Sequence, residues 1–152
     1  YGKFLPSDAI GRAKVHEWLM WQMGGLGPMA GQAHHFLQFN PGKAPYAETR
    51  YATEVQRLYG VLDKQLEGQD FICGDYSIAD MACWPWILTY KSQNIDLSDY
   101  PNLRRWYDSL KQRPGLRRGY SLLKEKSAKR GNEAPDEEAR RHLFGVVSED
   151  AH

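Results

Sequence analysis

The stretch Gly74-Asp75-Tyr76-Ser77-Ile78-Ala79-Asp80-Met81 fixes a helix start by three devices at once. Ser77 stands where an N-cap hydroxyl accepts the backbone N–H of Asp80. The Asp80 carboxylate in turn reaches back to the N–H of Ser77, a capping box with Asp in place of Glu or Gln. Tyr76 before the cap and Met81 at the fourth helical position are spaced to staple the entering chain. The run that follows, Ala82-Cys83-Trp84-Pro85-Trp86-Ile87-Leu88, is apolar on every side and predicts a central, buried helix. Asp80 is therefore read as a structural cap, with Ser77, and not as a catalytic acid.

Elsewhere period-3.6 stripes recur and strand-like alternation is nearly absent, so the expected fold is all-α. Ser7 or Asp8, after Pro6, caps a first long helix whose inner stripe is Val15, Trp18, Leu19 and Gln22. Gly24-Gly25-Leu26-Gly27-Pro28 is expected to break or kink it, since Gly lacks helix propensity and Pro cannot donate to the ladder. A looser helical stretch then runs through Phe36 until Asn40-Pro41-Gly42 forces a turn. Pro45 suits the first position of the next helix, striped by Tyr51, Val55, Leu58, Tyr59, Leu62 and Leu66 and stopped by Gly68. After the capped helix, Tyr100-Pro101 opens another, with Leu103, Trp106, Tyr107 and Leu110 inward and Arg113-Pro114-Gly115 at its end.

A short helical turn is expected around Leu116 and Tyr120. The helical domain is placed at 1–120 and a charged C-terminal arm at 121–152. Within the arm, Asp136-Glu137-Glu138 ahead of Arg140-Arg141-His142 matches a short helix dipole, and Leu143-Phe144-Gly145-Val146-Val147 is an apolar anchor expected to dock.

A chain of 152 residues buries a real core. A net charge of +1 leaves no basic excess to neutralise phosphates, which excludes nucleic acid as a main partner. No apolar run reaches the ~18 to 20 residues that span a bilayer, so no membrane role is expected. Cys73 and Cys83 have neither redox nor zinc spacing; unpaired thiols point to a cytoplasmic location.

Gly24-Gly25-x-Gly27-Pro28 lacks the Lys-Ser/Thr ending of a phosphate-binding loop and is read as a site of close helix approach. His34-His35 diverge on a helix and have no companion ligands, so no metal is expected. Gln22 ends an apolar stripe, and a buried amide needs partners: a helix end, a neighbouring subunit or a ligand. Arg50 lies off the Tyr51 and Val55 stripe, beside Glu54 and Arg57, where an i+4 pair with Glu54 is available.

Several segments together carry a family resemblance. Ser77-Ile78-Ala79-Asp80 followed by Trp84-Pro85-Trp86 resembles the core helix of the C-terminal domain of glutathione transferases. The Trp18–Met29 segment, His34-His35-Phe36, Tyr46-Ala47-Glu48-Thr49-Arg50-Tyr51, and Tyr100-Pro101 through Arg113-Pro114 resemble one branch of that family. This is the Nu class, whose bacterial members are glutathione-dependent disulfide reductases, together with the related nitrogen-regulator proteins. The likeness runs over 18–119.

The resemblance implies a helical bundle that lacks its N-terminal thioredoxin-like domain, which would hold most of the glutathione site and activate its thiol. No catalytic residue is then expected in this chain. The resemblance implies that Arg50 reaches into the glutathione site and that Gln22 borders the same cleft. It implies a glutathione-dependent disulfide reductase or a conjugating transferase, with glutathione as co-substrate, a small disulfide or electrophile as second substrate, and a homodimer. Alternatives are a non-enzymatic regulator of the same fold, or a helical interaction module of the kind appended to translation proteins. Arg50 and the absence of a long insertion between Leu66 and Gly74 favour the enzyme.

Overall fold

The computed structural model describes residues 3–130 and 136–145; among them there are helices and no strand, only an isolated bridge between Cys73 and Asp75. The chain forms two compact units, Tyr1–Gln112 and Arg113–His152.

The first unit opens with α1, Ala9–Trp21, capped by Asp8, whose Oδ1 accepts the Gly11 N–H at 2.8 Å. The glycine run does not break the helix. The chain stays helical through a π-turn at Gln22–Leu26, α2 at Gly27–His34 and a second π-turn at His35–Phe39. Pro28 explains the first: it has no N–H, and its ring collides with the carbonyl four residues back in an ordinary α-turn. The wider turn ahead of it relieves that clash, and the Gly27 N–H bonds Gln22 O five residues back. Asn40 closes the second, donating to His35 O at 3.0 Å. It precedes Pro41 and leaves helical backbone at φ −137°, ψ 48°.

Helix α3, Pro45–Gln65, buries Val55, Leu58, Tyr59 and Leu62. It packs on α2 and on α5, Pro101–Lys111. The stripe ends with the buried Leu66, two residues ahead of Gly68, whose φ of +67° favours glycine. Tyr51 stacks flat on Phe36, 5.5 Å between centroids, and pins the start of α3 to the end of the α2 path. α5 has no cap of its own; Asp63 of α3 supplies one, its Oδ1 accepting the Leu103 N–H at 2.9 Å.

Helix α4, Ile78–Leu88, packs against α1, α2 and α5. Both halves of its capping box are made. The Asp80 Oδ2 accepts the Ser77 N–H at 2.9 Å, and Ser77 Oγ accepts from Ala79 N at 3.3 Å as well as from the Asp80 N–H. Phe4 O accepts the Ile78 N–H at 3.0 Å, so the first turn has a partner from the N-terminal segment too. Tyr76 packs edge-on to Phe4 and to Phe71. The helix is not buried on every side as expected. Ala79, Asp80, Cys83, Trp84 and Ile87 are buried, whereas Pro85 is exposed and Met81, Ala82, Trp86 and Leu88 are half-buried. Its three helical neighbours leave an open side, and Pro85, the one residue unable to extend the ladder, stands there.

Beyond α4, Tyr90–Gln93 and Leu97–Asp99 are single 3₁₀ turns. The buried Gln93 ties the first of them inward. Its Oε1 accepts the Tyr59 hydroxyl at 2.9 Å and its Nε2 donates to Trp86 O at 2.8 Å.

The second unit begins with α6, Pro114–Arg130, a long helix where a short turn was expected. Pro114 starts it, and the Lys, Arg, Glu, Leu and Ala that read as a charged arm are good helix formers. The change of composition at 121 falls inside this helix. Helix α7, Glu137–Phe144, has Asp136 as its cap, accepting Ala139 N at 2.8 Å, acids in its first turn and Arg141 and His142 in its last. Gly145, at φ +63°, ends it. Leu143 is exposed, and the Arg140 guanidinium lies 5.8 Å from the Phe144 ring. Val146 and Val147 of the anticipated anchor lie outside the described residues.

Candidate functional site

Arg50 lies in the second turn of α3, with its side chain 55% exposed. Its contact with Glu54 is loose, 4.0 Å from Nη1 to Oε2. Glu54 is already held by Arg57, whose Nε and Nη2 donate to its two oxygens at 2.9 and 2.7 Å. That fork, first through its hydrogen bonds and then through charge, holds the Glu54 carboxyl below its usual range. Arg50 therefore presents a guanidinium whose neighbouring carboxylate is engaged elsewhere. An Arg fork of this kind takes a carboxylate through two parallel hydrogen bonds.

Gln22 is buried, at 5% exposure, in the first π-turn. A methyl group placed on Gly27 would lie 2.7 Å from its Nε2 and 3.2 Å from Trp86, so the amide is lodged between the α2 start and α4. The structure does not bring Gln22 and Arg50 together. Gly25, near Gln22, abuts Leu58 of α3, and Phe36 stacks on Tyr51 beside Arg50. α3 advances about 12 Å from Arg50 to Leu58 at 1.5 Å per residue, so the two lie at different levels of the α2–α3 pair.

Asp80 has no capacity left for acid–base work. Its two oxygens accept from the Ser77 N–H and Oγ, the Ile72 N–H at 3.0 Å and the Trp106 indole at 2.8 Å. Cys73 and Cys83 are free thiols. Burial, reinforced by the Asp80 charge, pushes Cys73 up to about 11 and pushes the wholly buried Cys83 up as well. Neither is a thiolate near neutral pH, so neither is an activated nucleophile. Cys73 borders a cavity of about 240 Å³ with Phe4, Pro6, Val15, Asp75 and Ser77. No group of three His, Cys, Asp or Glu among the described residues is arranged to hold a metal. The His34 Nε2 is buried without a partner, and burial holds the ring's pKa below the ordinary value of 6.5.

Tyr46, one turn ahead of Arg50 on α3, is 84% exposed.

Residues 26–114 match the model of the glutathione S-transferase C-terminal domain. The disulfide-bond oxidoreductase YfcG of Escherichia coli is 49% identical over 113 residues, covering 74% of this chain and 53% of that protein. A glutathione transferase from Burkholderia graminis, solved with two glutathione molecules bound per subunit, superposes with a TM-score of 0.69 at 38% identity. That match covers 78% of this chain and 52% of the other. A glutathione transferase from Pseudomonas putida, solved with one glutathione disulfide bound per subunit, gives a TM-score of 0.71 at 36% identity, over 78% and 54% of the two chains. The chain thus spans about half the length of the relatives it matches. With the capped core helix, the all-helical unit and the family match in agreement, this chain belongs to the glutathione S-transferase family and carries its C-terminal domain.

Proposed function

We propose that this chain is the C-terminal half of a glutathione-dependent disulfide reductase, a cytoplasmic homodimer whose other half is a thioredoxin-like domain. The observation that carries the reading is Arg50, an exposed guanidinium beside a carboxylate already held by Arg57. Glutathione has two carboxylates, and the Arg50 fork binds one of them. Gln22 forms part of the cleft wall farther along the α2–α3 pair. The relatives support the reading: one is named a disulfide-bond oxidoreductase, and others hold glutathione or its disulfide.

In this scheme the glutathione thiol is activated by the other domain. The assignment agrees with the chemistry of this one, where both cysteines are held protonated and Asp80 is fully hydrogen-bonded. Two glutathione thiols give up two protons and two electrons, one disulfide is reduced to two thiols, and glutathione disulfide leaves.

Calorimetric titration of glutathione into the complete protein tests the role of Arg50. Arg50→Ala is expected to weaken binding by ~1.5 to 3 kcal/mol, one charge-assisted contact, or about one to two decades in affinity. Arg50→Lys recovers only part, because an ammonium lacks the planar fork. Equal affinity in all three proteins defeats the reading.

A further inference from the structure

Gln22 is 5% exposed, yet none of the hydrogen bonds found among the described residues involves its amide. A buried carboxamide without partners costs stability, because it has given up hydrogen bonds to water and gained none in return. The amide is not sealed, however. Among the described residues the sealed side-chain atoms without a partner are His34 Nε2 and Trp84 Nε1, and the Gln22 amide is not one of them. It lies at the bottom of a narrow opening.

The surroundings fit that placement. A Cβ on Gly27 would stand 2.7 Å from Gln22 Nε2 and 3.2 Å from Trp86, so the amide rests on bare backbone with the indole at its side. The π-turn fixes the residue there, since the Gly27 N–H bonds the Gln22 carbonyl. Trp86 is half-buried and Met23, next in the chain, is 58% exposed, which gives the opening an apolar rim. A carboxamide holds donors and an acceptor side by side. Its complement is a peptide group, with one C=O and one N–H; a carboxylate offers acceptors only and leaves the Gln22 oxygen unmet.

We propose that Gln22 binds a peptide amide of the ligand and so sets a preference for peptide substrates. This rests on the disulfide-reductase reading. Two molecules in that reaction can carry such a group: glutathione itself, and a disulfide that joins peptides.

The test uses the complete protein and Gln22→Met, which keeps the length of the side chain and removes the amide. Two disulfides are reduced with glutathione: that of cysteinylglycine, which has peptide amides, and bis(hydroxyethyl) disulfide, which has none. The ratio of kcat/KM for the first to that for the second is expected to fall about 3- to 10-fold, which places the amide on the disulfide. A constant ratio with glutathione binding weakened by about that factor in calorimetry places it on glutathione instead. An unchanged ratio together with unchanged glutathione affinity overturns the proposal and leaves an ordered water as the occupant. The ligand-free urea midpoint of Gln22→Met is expected to equal or exceed that of the wild type, because the amide has no partner to lose. A lower midpoint overturns the proposal too, since groups of the protein or of a partner subunit then hold the amide. A wild type that reduces neither disulfide defeats the parent reading instead.

Discussion

Asp80 Oδ1 accepts the indole N–H of Trp106 at 2.8 Å, a bond between two side chains with no exposed surface. The same oxygen takes the Ile72 N–H, so one carboxylate fastens α4 to α5 and to the loop ahead of α4. Its role is wider than the cap that local spacing describes.

A difference in stability between the two capping residues follows. Ser77→Ala removes one hydroxyl at a helix end and is expected to cost about 1 kcal/mol. Asp80→Ala strands the buried donors of Ile72, Ser77 and Trp106 together and is expected to cost about 3 kcal/mol or more. Urea melts of the two variants check this; matching midpoints would show that Asp80 acts as a cap alone.

Glycine substitutions at two helical sites are expected to move stability in opposite directions. A Cβ on Gly27 would sit 2.7 Å from Gln22 Nε2 and 3.2 Å from both the Gln22 backbone oxygen and the Trp86 ring. The amide can swing away, but the carbonyl and the ring are fixed by packing. Gly27→Ala is expected to lose about 1 to 3 kcal/mol through overpacking. Gly60, in the middle of α3, has nothing within 4 Å of that position. Gly60→Ala is expected to gain about 0.5 to 1 kcal/mol from helix propensity. Melting temperatures that rise for both variants would show that Trp86 gives way.

The sequence disclosed those parts of the fold whose partners are close in the chain. Ser77 and Asp80 are three residues apart, and Pro45 and Gly68 act on their own backbone, so α4 and the ends of α3 were legible. The cap of α5 was not, because Asp63 reaches Leu103 from 40 residues away. The π-turn before Pro28 was read only as a break or kink, since propensity records what Pro28 forbids and not how a wider turn accommodates it. The exposure of Arg50 followed from periodicity. Whether Arg50 or Arg57 holds Glu54 did not, because the i+3 and i+4 spacings are both available and rotamers decide between them. The separation of Arg50 from Gln22 needed the pairing of α2 with α3, which no local pattern encodes.

Acid sensitivity is expected from His34. Its Nε2 is buried without a partner, and the hydrogen-bonding group that favours its charged form is the Thr89 backbone. Protonation would place a second N–H, and a charge, where neither water nor an acceptor meets it. Burial therefore lowers the folded pKa below the ordinary value of 6.5, and the Thr89 bond opposes this only in part. With the folded value depressed, the unfolded chain binds the proton more readily. The stability tied to neutral His34 is fully present above pH 6.5. It is lost progressively as pH falls toward the folded value, and is constant again below it. His34→Gln keeps a donor for Thr89 and removes the titration. Its urea midpoint is expected to fall less than that of the wild type between about pH 7.5 and about pH 5, with the other histidines contributing equally to both proteins. Parallel losses in the two proteins would show that His34 takes up its proton in the folded state as easily as in the unfolded chain.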